Sequence, residues 1–148
     1  MKMKVASAYW ALSALPSERL PEIAVDALED GNDSLALRQL AGDDQGDYEA
    51  NRELFKKSLL ELGLEIPPVN EATRIVAQEE ARRMVSGEKT PYQAATLIQQ
   101  YAGIYGTGLP TLGQIDKVVY KLEECSDDQE RVILTQQLFG LIKHLAEK

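Results

Sequence analysis

Seven carboxylates crowd one short stretch of this chain: Glu29, Asp30, Asp33, Asp43, Asp44, Asp47 and Glu49 fall within 21 residues. A calcium loop would need a glycine at its sixth place and a bidentate Glu at its twelfth. Placing Gly31 sixth makes Leu37 twelfth, and placing Gly46 sixth makes Ala41 first, so neither register builds a cage. Two readings remain. Acids before a helix start satisfy its first amides and suit its dipole, or the stretch forms an anionic surface for a basic protein partner. On the second reading the candidate binding residues are Asp30, Asp33, Asp43, Asp44, Asp47 and Glu49.

Glycines gather at Gly103, Gly106, Gly108 and Gly113, with Tyr101 and Tyr105 before them. A phosphate loop requires a preceding strand and a Lys-Ser/Thr pair after its last glycine, and neither is present. The segment reads as a helix-ending loop, with Tyr101 and Tyr105 as secondary candidates for partner recognition. His144, the sole histidine, has Leu141 three residues before it, so the Glu-x-x-His motif of a di-metal bundle is missing. A C-terminal helix turn suits its partial positive charge. The single Cys125 stands among Glu123, Glu124, Asp127 and Asp128, whose charges oppose a reactive thiolate. Adjacent Glu79 and Glu80 diverge around a helix and do not make a two-carboxylate site. Arg74, Arg82 and Arg83 form a modest basic patch that Glu71, Glu79 and Glu80 can balance. No cofactor, metal or catalytic constellation is expected.

The elements that carry these residues announce themselves through their ends. Thr90-Pro91-Tyr92-Gln93 has the spacing of a capping box with Pro at the first helical position, and Thr111 to Gln114 and Ser126 to Gln129 repeat it. Ser17, Asp33, Asp47 and Asn70 precede other apolar-periodic runs, while Gly31, Gly42, Gly63, Gly87 and Gly106 follow them as closing residues. The pattern predicts eight helices over 5–15, 18–30, 34–41, 47–63, 70–86, 91–105, 112–124 and 127–146, and no strand. The fold class is all-α, a multi-helix bundle or a short array of helical hairpins in one domain. Pro67 and Pro68 stiffen a corner at 65–69.

With 148 residues, 44% hydrophobic and 27% charged, the chain is long enough to bury a core without disulfide or metal. A formal charge of −8 repels phosphate backbones and argues against nucleic acid. Lys2 and Lys4 before the apolar stretch from Val5 to Leu15 superficially match a secretory leader, but Ser7, Tyr9, Trp10 and Ser13 interrupt it. Val5, Tyr9, Leu12 and Leu15 share a helical face instead, and no run is long enough to span a bilayer. A cytoplasmic protein without membrane contact is expected.

The phrases from Leu20 to Gly31 and from Ser34 to Gly42, then Leu54-Phe55, Glu61-Leu62-Gly63, Ile66-Pro67-Pro68 and Thr90 to Ala95, resemble small bacterial helical proteins of unknown function. The resemblance covers the first two-thirds of the chain and implies a bacterial, all-helical, soluble protein; it carries no activity or site residues. The function expected is a non-enzymatic acidic protein-binding module, such as an immunity or inhibitor protein facing a basic partner. Self-association through the apolar stripe of the last helix, or an enzyme with a carboxylate and tyrosine pocket, are the alternatives.

Overall fold

The computed structural model describes residues 1–42, 47–105, 109 and 111–147. Among them are eight α-helices and no strand: α1 (Met3–Ala11), α2 (Leu20–Glu29), α3 (Leu35–Ala41), α4 (Tyr48–Glu61), α5 (Val69–Val85), α6 (Pro91–Tyr105), α7 (Leu112–Glu124) and α8 (Asp128–Ala146). No helix is long and apolar enough to cross a membrane among the described residues. The chain divides into two compact units, Met1–Ala72 and Thr73–Lys148, with the division inside α5 shortly after Pro67-Pro68.

Helix ends explain most of the boundaries. Gly31, Gly63 and Gly87 have φ of +96°, +73° and +87°. Each closes a helix by paired backbone bonds, such as Gly31 N–H to the Leu28 carbonyl and Asn32 N–H to the Ala27 carbonyl. Gly42, expected to act likewise, has φ −83° and needs no glycine conformation. Ser13 (φ 55°) ends α1 in the same left-handed way, with Ser13 and Ala14 bonding back to Trp10 and Tyr9. The first helix therefore stops at Ala11 rather than at 15, because a serine takes the place usually held by glycine. A 3-10 turn over Ser17–Arg19 then leads into α2.

Of the three capping boxes, one forms as read. Thr90 N–H donates to Gln93 Oε1 (3.0 Å) while Gln93 N–H donates to Thr90 Oγ1 (3.1 Å). Thr111 has helical dihedrals (φ −90°, ψ −4°) and makes no cap bond, since an extended residue is needed to swing the oxygen over the first turn. At α8 the cap is Asp127, not Ser126, and it accepts from Gln129 N–H at 3.0 Å. At α3 it is Ser34, not Asp33, accepting from Leu37 N–H at 3.0 Å.

In unit 1, α3 packs against both α2 and α4, and the 3-10 turn lies against α2 and α4. Val5, Tyr9, Leu12 and Leu15 are buried as their spacing requires, together with Ile23, Leu37, Leu40, Phe55 and Leu59. Trp10 stacks on Phe55 with centroids 5.0 Å apart, and the Arg52 guanidinium sits 4.4 Å from the Trp10 ring, a cation–π contact. In unit 2, α6, α7 and α8 pack on one another around Ile98, Ile115, Leu122, Leu134, Leu138, Ile142 and Leu145. From α5, Ala77, Ala81 and Met84 join this core, whereas Val85 is 47% exposed. Alanines at 94, 95 and 102 let α6 approach its neighbours closely. Among the described residues of this unit one charge is buried: Glu80, which accepts from the Lys89 ammonium.

Candidate functional site

The acidic stretch separates into two groups at opposite ends of α3. Its seven residues rise about 10 Å along the axis. At the first end, Asp30 follows the last residue of α2 and Asp33 precedes α3. At the second, Asp47 caps α4 and Glu49 lies in the first turn of that helix. Asp43 and Asp44 lie outside the described residues.

These carboxylates do different work. Asp47 Oδ1 accepts from Ala50 N–H at 3.1 Å, a plain helix cap. Asp33 is gripped by Arg38 through two bonds, Nε to Oδ1 at 2.7 Å and Nη2 to Oδ2 at 2.5 Å. That hydrogen bonding, more than simple attraction, holds the Asp33 carboxyl below the usual carboxylate range. Glu61, which sequence reading passed over, reaches from the end of α4 to accept Ala36 N–H at 2.9 Å. Its charge suits the N-terminus of α3, and the end of α4 meeting the start of α3 shows that the two helices run antiparallel. Only tertiary contact across 25 positions could reveal it.

Glu29 and Asp30 have no such role. Both are exposed in the last turn of α2, which holds no basic residue, so their charge faces the negative end of the helix dipole. Capping does not account for them. Glu49 is also exposed, on the favourable end of α4. Divided between the two units, the charge is very uneven. Unit 1 has 14 acidic and 7 basic side chains, net −7, whereas unit 2 has 10 and 9, net −1.

Unit 1 also carries an apolar groove of about 350 Å³ lined by Lys56, Leu59, Leu60, Leu64, Glu65 and Ile66. Leu60 is 78% exposed and Ile66 44%, unusually open for side chains of this size. Sequence spacing gave no sign that Leu60 would be left out of the core.

The tyrosine candidates belong to unit 2. Tyr101 is half-buried on α6; Tyr105 closes that helix, with its side chain, like Gly106, Thr107 and Gly108, outside what the structure describes. Of the apolar stripe of the last helix, Leu134, Leu138, Ile142 and Leu145 are buried in the core of unit 2 and Leu141 packs against it partly buried. Arg82 and Arg83 are balanced by Glu79 at 2.6 and 3.6 Å, as their spacing suggested. His144 is exposed beside Glu147 in the last turn of α8. Among the described residues, no group of three His, Cys, Asp or Glu is placed to hold a metal ion. No family model, curated protein or solved structure matches the chain.

Proposed function

We propose that this chain is an acidic helical protein-binding module of bacterial origin whose unit 1 receives a basic protein partner, in the manner of an immunity or inhibitor protein. The uneven charge carries the reading: net −7 in unit 1 against −1 in unit 2. A field of that sign accelerates encounter with a cationic surface and repels anionic ones. Glu29 and Asp30 support it further, because they load the unfavourable end of α2 with charge that the fold does not use. The groove at Leu60 and Ile66, edged by Lys56 and Glu65, supplies apolar surface for an anchor side chain.

The test is affinity capture from bacterial lysate at about 50 and 500 mM salt, where screening lengths differ severalfold. One bait replaces Glu29, Asp30 and Glu49 by Lys; a control bait replaces Glu88, Glu124 and Glu130 of unit 2 by Lys. A basic protein retained at low salt, released at high salt and lost only with the unit 1 bait is expected. Retention by the unit 1 bait, or equal loss with both, refutes the proposal.

A further inference from the structure

Unit 2 holds a feature that the acidic surface does not explain. Tyr92 of α6, Leu122 and Glu123 of α7, and Arg131 and Thr135 of α8 line a cleft of about 310 Å³, the lower end of small-ligand sites. Its floor is apolar, with Leu122 only 4% exposed. Its walls carry one carboxylate and one guanidinium.

The two charges are held in place by neutral partners rather than by each other. Tyr92 Oη donates to Glu123 Oε1 at 3.1 Å, which leaves Oε2 available. Arg131 Nη2 donates to the Cys125 carbonyl at 2.9 Å, which leaves most of the guanidinium fork unused. The Thr135 hydroxyl turns back to the Arg131 carbonyl at 2.8 Å. Ion pairs in unit 2 join Arg82 and Arg83 to Glu79, Lys89 to Glu80 and His144 to Glu147; among the described residues, neither Arg131 nor Glu123 takes part in one.

A simple anion entering this cleft would meet the Glu123 charge, and a simple amine would meet Arg131. A ligand bearing an ammonium and a carboxylate on one carbon satisfies both walls at once. We infer that the cleft binds a free α-amino acid, its carboxylate on Arg131, its ammonium on Glu123 and its side chain against Leu122. This site is independent of the partner surface on unit 1.

The full chain is titrated with pools of the proteinogenic L-amino acids, followed by proton–nitrogen correlation spectra. The active compound is then compared with its N-acetyl and carboxamide derivatives. Saturable shifts at the amides of Tyr92, Leu122, Glu123, Arg131 and Thr135 are expected. Arg131→Gln and Glu123→Gln should each weaken binding by about tenfold or more, as should blocking either end of the ligand. Arg131→Lys retains the charge but loses the fork, and should also weaken binding while the spectrum stays folded. No saturable shift up to about 10 mM overturns the inference, since that limit corresponds to binding weaker than about 3 kcal/mol. So does an N-acetyl derivative that binds as well as the parent, which would mark an anion site only, or binding that survives both glutamine substitutions.

Discussion

Three helix starts that look alike in sequence should respond differently to loss of the capping side chain. Thr90→Ala removes the acceptor for Gln93 N–H and opens the reciprocal pair described for α6. Caps of this kind contribute about 1 kcal/mol, within a range of roughly 0.5–2. For a chain of this length that lowers Tm by about 2–4 °C. Thr111→Ala removes a hydroxyl whose Oγ1 is buried without a partner, so the change is expected within about 0.5 kcal/mol of zero, or slightly stabilising. Ser126→Ala should likewise be silent, whereas Asp127→Ala removes the acceptor of Gln129 N–H and should cost about 1 kcal/mol. Urea unfolding of the four variants, followed by circular dichroism, measures all of these together. Equal losses at Thr90 and Thr111 would refute the argument that the dihedrals of the cap residue decide whether its side chain can act.

Other outcomes follow from the same geometry. Gly31→Ala, Gly63→Ala and Gly87→Ala should each destabilise by about 1 kcal/mol through the left-handed backbone alone, since Gly31, Gly63 and Gly87 have no atom within 4 Å of an added Cβ; thermal melts read it, and Ser13→Gly should raise stability. Lys89→Ala should cost about 2 kcal/mol in urea unfolding, below the roughly 3–5 of a fully enclosed pair because the lysine side chain keeps 22% exposure. Arg38→Gln should return the Asp33 carboxyl to the ordinary range in a carbon-detected NMR titration. Because that carboxyl is lowered in the fold, the pair's contribution is present above the ordinary Asp range and fades as pH falls through the lowered value; the variant should lack this fading.

The elements were legible where chain punctuation is local. The start at Pro91 follows from sequence spacing because Thr90 and Gln93, the two residues of its capping box, lie within one turn. The end of α1 was not, since nothing in the run from Leu12 to Leu15 marks Ser13 as a left-handed residue, and the buried leucines continue past the helix. At the candidate surface, composition identified the acidic stretch but not which carboxylates are committed. Asp33 turns out to be gripped by Arg38, and Glu61, which composition did not single out, holds a distant amide. The opposing charges of Tyr92-bound Glu123 and Arg131 share a cleft only because α6, α7 and α8 meet there.

The contact between Glu61 and α3 bears on how unit 1 acquires its structure. A seven-residue helix is far below the length, about 12–15 residues, at which a helix persists in water by itself. Its first-turn amides are closed by Ser34 from within and by Glu61 from α4, so half of its start is supplied by another element. Helix α3 should therefore appear only as α4 docks, and not as an early local nucleus. The amide of Ala36 becomes a natural reporter of that event: its hydrogen exchange tracks separation of the two helices, while the Leu37 amide, held by its own neighbour Ser34, responds to fraying of α3 itself.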